Sequence, residues 1–128
     1  MRWLAAVVVL VPALLLADHG PDARKLGYRN WSGNDCRALI SNTERKCETG
    51  DCRALISNND RKCDTNDCKA LVDNTERKCD SNDCRALISN SERTCDSNDC
   101  KAIISNTKRK CESASCKAIL DNKQRLCR

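Results

Sequence analysis

Residues 36–47 read CRALISNTERKC, and residues 52–63 read CRALISNNDRKC. The same phrase returns four more times, opening on Cys68, Cys84, Cys100 and Cys116 and closing on Cys79, Cys95, Cys111 and Cys127. Cysteine spacing therefore alternates between 11 and 5, with a period of 16. Both cysteines, the alanine (Ala38 to Ala118), the asparagine (Asn42 to Asn122) and the arginine (Arg45 to Arg125) are common to all six copies. A fixed period over six copies is the signature of a repeat array.

One copy is enough to read local structure. Wound at about 100° per residue, the first cysteine, the Leu-Ile pair, the eighth residue and the last cysteine share one face, and the charged residues lie elsewhere. A strand would need alternation, and Leu39-Ile40 are adjacent. Each four-residue link, such as Asp80-Ser81-Asn82-Asp83, supplies a Ser or Thr N-cap and an acid for the first helical turn. The Ser-Asn pair in mid-phrase is also a stop signal, so each asparagine is a candidate helix break. The expected fold is all-α: a disulfide-stapled tandem helical repeat of six 16-residue units, with antiparallel helical hairpins stacked as a short solenoid.

Outward from the repeats, three segments emerge. Residues 1–17, MRWLAAVVVLVPALLLA, have the basic start, apolar middle and small final residue of a signal peptide. Residues 18–35 form a polar leader in which Tyr28 and Trp31 are expected to cap the exposed end of the first helix. Residues 36–128 are the six-copy domain. Without residues 1–17 the chain has 22 basic and 18 acidic side chains, a net charge of +4 over 111 residues. These charges are interleaved, which is not a nucleic-acid footprint. No remaining stretch is long and apolar enough to span a bilayer. Twelve cysteines behind an export signal predict a disulfide framework and a secreted, extracellular protein.

The pairing of those cysteines is less determined. On a continuous helix Cys36 and Cys47 would be about 16 Å apart, beyond disulfide reach. Antiparallel stacking favours doubly stapled hairpins: Cys36–Cys63 with Cys47–Cys52, Cys68–Cys95 with Cys79–Cys84, and Cys100–Cys127 with Cys111–Cys116. Two alternatives stay open. One is a ladder joining each opening cysteine to the end of the following helix. The other pairs cysteines inside each copy, which needs a break at the asparagine. The stapled hairpin is similar in plan to the plant helical hairpinins, although their C-x-x-x-C spacing is absent here.

Chemistry-bearing residues are sparse. The chain has one histidine, and no catalytic set or phosphate loop is present, so an enzyme is not expected. Metal-thiolate sites need closer ligand spacing than four and ten intervening residues. No cofactor is expected. Calcium is the better rival, at the oxygen-rich turns Asp64–Asp67, Asp80–Asp83 and Asp96–Asp99, which lack the glycine and glutamate of a calcium hand. Arg45, Arg61, Arg77, Arg93, Arg109 and Arg125 form either a basic binding stripe or, as the plainer expectation, ion pairs with neighbouring acids such as Glu48 or Asp51, or caps on helix carbonyls. Asn30-Trp31-Ser32 is an N-glycosylation sequon. The last copy is atypical, with Ser115 for Asp, Leu126 for Lys and Arg128 for the acid, as terminal units of arrays are.

Near-identical copies favour a multivalent surface over one tailored pocket. The expected role is a non-enzymatic interaction protein of effector or ligand type, meeting an extracellular protein or an anionic glycan, with self-association open. A structural protein of a coat, cement or matrix is the alternative, and a defensive inhibitor or antimicrobial comes third.

Overall fold

A computed structural model describes residues 21–128, and the signal segment 1–17 lies outside the described residues. Six α-helices follow one another: α1 (Gly33–Ser41), α2 (Gly50–Ser57), α3 (Asn66–Asp73), α4 (Asn82–Ser89), α5 (Asn98–Ser105) and α6 (Ala114–Asp121). A short 3-10 turn follows each, from Glu44–Lys46 after α1 to Gln124–Leu126 after α6, and another, Ala23–Leu26, lies in the leader. No strand occurs among the described residues. The protein is an all-helical tandem repeat stapled by six disulfides.

The helix is broken at every asparagine. Asn42, Asn58, Asn74, Asn90, Asn106 and Asn122 all adopt φ of 53–57°, the left-handed region. Asparagine tolerates that conformation better than other residues with a Cβ. The N–H of the following residue reaches back to the alanine carbonyl, as Thr43 does to Ala38 at 3.0 Å, which closes the helix in a Schellman-type turn. The chain then turns through the 3-10 segment and packs beside its own helix. At the other end, Ser32, Thr49, Thr65, Ser81, Ser97 and Ser113 cap the six helices, as the links predict.

This break decides the cysteine pairing. Because the 3-10 turn folds back, each closing cysteine emerges beside the opening cysteine of the next unit. The bridges are Cys47–Cys52, Cys63–Cys68, Cys79–Cys84, Cys95–Cys100 and Cys111–Cys116. The sixth, Cys36–Cys127, joins the ends across 91 residues. Three expected pairs, Cys36–Cys63, Cys68–Cys95 and Cys100–Cys127, are thereby overturned, while Cys47–Cys52, Cys79–Cys84 and Cys111–Cys116 stand. Doubly stapled hairpins require two kinds of junction in alternation, and six nearly identical copies adopt only one. The likeness to hairpinins ends here too.

The solenoid closes on itself. Helix α1 packs on α6 as α3 packs on α4, and the Cys36–Cys127 bridge spans 5.7 Å between Cα atoms against 5.6 Å for Cys47–Cys52. The seam therefore repeats the geometry of an internal junction. One apolar core runs through all six units. Its buried members include the six opening cysteines and alanines with Leu39, Leu55, Leu71, Leu87, Ile103 and Ile119. The alanines are 0 % exposed, so a larger side chain there would push units apart.

The leader fills the space the helices enclose. Its 3-10 turn packs on α4 and α5, with Leu26 buried. Gly27 passes so close to α5 that a Cβ would lie 2.9 Å from the Ile103 side chain. Trp31 is buried, donates its indole N–H to the Leu26 carbonyl at 2.9 Å, and meets Tyr28 edge-on at 5.7 Å. The expected cap on an exposed first helix is corrected. In a closed ring no end is exposed, so both aromatics seat the leader instead.

Candidate functional site

Three constellations of polar side chains stand out. The first holds the units together. Asp35 Oδ1 accepts the N–H groups of Glu48 and Thr49 at 2.6 and 3.4 Å, and its Oδ2 accepts the Thr49 hydroxyl at 2.6 Å. Asp51, Asp67, Asp83 and Asp99 repeat the two backbone bonds across the next four junctions. The capping hydroxyl is a relay: Thr49 accepts from the Cys52 N–H while donating to Asp35. Carboxylates that accept backbone donors make the stronger, charge-assisted kind of bond.

The second constellation anchors the leader. Tyr28 donates its hydroxyl to Asp51 Oδ2 at 2.9 Å, and Arg29 pairs with the same oxygen at 3.3 Å while lying 4.6 Å over the Trp31 ring. Burial works to raise the Asp51 carboxyl, but bonds from Thr65, the Asp64 N–H and Tyr28 outweigh it and hold the group below its usual value. Tyr28 moves the other way: burial first, then the Asp51 charge, push the phenol well above its ordinary range. Ser115, which replaces the aspartate in the last unit, accepts the Trp31 N–H at 3.2 Å and donates to Asn30 Oδ1 at 3.0 Å. The leader thus supplies the partner that a following repeat supplies elsewhere.

The third is the rim of 3-10 turns, which contain no buried residue. Arg45, Arg61, Arg77, Arg93, Arg109 and Arg125 sit in the middle of these turns, all exposed. Among the described residues none of the six is in an ion pair. The plainer expectation, pairing with Glu48 or Asp51, is corrected. Asp51 is spent on Tyr28, Arg29 and the next link, and four acids in or just before the turns go to lysines. Lys62 pairs with Glu44 of the preceding unit, Lys110 with Glu92 at 2.9 Å, and Lys78 and Lys108 with Asp73 and Asp121.

The chain matches no protein-family model, no curated protein and no solved structure. The oxygen-rich turns do not converge on one calcium ion. In the first, Asp67 turns to the next link and Asp64 accepts the Gly50 N–H at 2.8 Å. In the other two, Asp83 and Asp99 likewise serve the next link, while Asp80 and Asp96 each accept a side-chain amide, from Asn66 and Asn82. Each internal junction brings one aspartate within 4.8 Å of two cysteine sulfurs, as Asp35 with Cys47 and Cys52. Those sulfurs are joined in disulfides and offer no thiolate. Asn30 of the sequon is exposed, with its side-chain oxygen engaged by Ser115.

The aspartate before each of the first five opening cysteines, a first-turn acid by sequence, is a clasp between units. Its signal was present: the same position holds Asp in five copies and Ser in the sixth. Only the closed ring explains both. No helix among the described residues is long and apolar enough to cross a membrane.

Proposed function

We propose that this protein is a secreted, non-enzymatic ring scaffold whose rim of arginines binds an extended anionic partner, such as a sulfated or carboxylated glycan, at several points at once. One observation carries the proposal: six arginines at equivalent places are exposed and unpaired among the described residues, while four of the five lysines beside them (Lys62, Lys78, Lys108 and Lys110) are paired. An arginine kept out of internal ion pairs retains its five donors for an external oxyanion. Six weak contacts on a rigid frame combine by effective concentration, without any one of them being strong. The rigid frame follows from a disulfide at every junction.

Export is part of the proposal. Twelve cysteines in six bridges suit an oxidising compartment, and the leading apolar segment suits delivery there. Full intrachain bridging also favours a discrete ligand over a disulfide-linked matrix, since no thiol remains for cross-linking between chains.

The test is retention on an immobilised sulfated glycan as a function of salt. Replacing Arg45, Arg61, Arg77 and Arg93 with glutamine should lower the eluting salt concentration markedly. Replacing the paired Lys62, Lys78 and Lys110 should lower it less. Equal losses from the two sets would mean a response to net charge alone and would sink the rim as the binding surface.

A further inference from the structure

At three internal junctions an amide covers the link to the next unit. Asn66, Asn82 and Asn98 donate their side-chain N–H to Asp80, Asp96 and Glu112, each fourteen residues on. In the last unit the corresponding residues are Ala114 and Arg128. A methyl group replaces the amide and a guanidinium replaces the carboxylate, so the cover is missing and its charge is reversed.

What opens there is a cavity of about 250 Å³ lined by Glu112, Ala114, Lys117, Arg125, Leu126 and Arg128. Three cationic side chains face one carboxylate, and Glu112 is itself held by Asn98. Among the described residues Lys117, Arg125 and Arg128 have no ion-pair partner. Leu126 stands where four other copies carry lysine, and it gives the cavity an apolar side together with Ala114. Close approach of the seam keeps Arg128 in place: a Cβ on Gly33 would lie 2.7 Å from the Arg128 carbonyl carbon.

The surrounding charge points the same way. Residues 100–128 hold eight basic and two acidic side chains, whereas residues 36–99 hold eleven and thirteen. The positive field of the whole ring is therefore concentrated on its last two units, at the seam.

We propose that the seam cavity is a single-copy binding site for a sulfate or phosphate monoester on a small organic group. Arg125 and Arg128 present planar forks suited to two oxygens of a tetrahedral anion, and Lys117 adds a point charge. Ala114 and Leu126 receive the carbon skeleton beside it. A volume near 250 Å³ is just below the usual range for small-molecule sites, which limits the occupant to about one sugar ring or an end group of a longer chain. The site is separate from the rim reading: it binds once per ring, by shape as well as charge, and only Arg125 belongs to both.

Titration of the oxidised protein with glucosamine 6-sulfate and, separately, glucose 6-phosphate tests the site, read by calorimetry and by amide chemical shifts. The expected result is one-site saturation with shifts centred on residues 112–128, and the stronger of the two esters identifies the anion. Lys117→Gln with Arg128→Gln should weaken binding by about tenfold or more. Ala114→Asn with Arg128→Glu restores the internal-junction pair and should abolish binding with all six disulfides retained. Arg45→Gln with Arg77→Gln should leave it unchanged. Absence of saturable binding by both esters, a stoichiometry near six, or equal loss from the rim and seam variants would overturn the proposal. Loss of rim binding to a polymer with the seam titration intact would fault the rim reading alone.

Discussion

The five internal junctions and the seam have the same shape and different chemistry. Inside the array an aspartate clasps two backbone N–H groups of the next link, and a disulfide across five residues locks the contact. At the seam Ser115 takes the aspartate's place, the leader's Asn30 and Trp31 take the place of the next link, and the bridge spans 91 residues. An array of identical units would need only one junction chemistry if it were cyclic in its backbone. A linear chain must stop somewhere, and here the break is mended by a leader folded into the ring. The terminal copy is therefore not merely a polar cap of the kind open solenoids use. It is the closing half of a junction.

The sharpest way to break this comparison is to change the number of units. Removing residues 68–99 deletes two copies and keeps the reading frame of the repeat. Stacked hairpins would tolerate the deletion, but a ring closed by six equal steps should not. The expected outcome is loss of the Cys36–Cys127 bridge and mixed or intermolecular disulfides, seen by peptide mapping without reduction. A monomer with four clean bridges including Cys36–Cys127 would refute the six-step ring.

Next in size is the contrast between bridges. By loop-closure entropy, a link across 91 residues stabilises by about 4.6 kcal/mol and one across 5 residues by about 2 kcal/mol. Denaturant unfolding of the Cys36→Ser/Cys127→Ser protein should therefore show roughly twice the loss of the Cys79→Ser/Cys84→Ser protein. The reverse order would place the seam outside the cooperative unit.

A smaller effect compares the two hydrogen-bonding clasps. Asp67→Ala removes an acceptor of two backbone N–H groups and the Ser81 hydroxyl, at a cost of about 2–3 kcal/mol. Ser115→Ala removes neutral bonds only and should cost about 1 kcal/mol. Equal losses would mean that the leader clasps the seam as firmly as an aspartate clasps a link.

The smallest test follows pH. The folded chain holds Asp51 below its usual carboxyl value, so its contribution is present at neutral pH and fades as pH falls through that lowered value, below about pH 4. Tyr28 is raised, so its contribution is full below about pH 10 and is lost only as pH climbs through the higher folded value. It is the chain's one tyrosine, so an ultraviolet titration reads it alone. The midpoint should lie above that of free tyrosine and drop in Asp51→Asn. A free-tyrosine midpoint in the unaltered protein would detach the leader from the ring.

Much of the unit was legible from one copy. Ser and Thr in the links announced the N-caps, and the helix face through Cys36 and Leu39 is the buried face. Asn42 and its five counterparts carried the stop signal, and a left-handed asparagine is a local preference that sequence records directly. The pairing was not legible, because it depends on where Cys47 arrives after the chain turns back, and two helical directions compete until the break is placed. Ser115 and Arg128 were visible as departures from the pattern, yet their partners, Trp31 and the seam cavity, lie at the opposite end of the chain or between its ends.

Sequence by itself determined the unit, its period, its caps, its break and its count, since each rests on interactions within about sixteen residues. Only the tertiary structure decided that the array is a ring, that the leader is its filling, and that Cys36 meets Cys127. Those outcomes depend on the angle between neighbouring units. That angle is set by how the buried alanines and leucines pack across a junction, a rotation that no single copy encodes visibly and that closes a circle only when six copies repeat it.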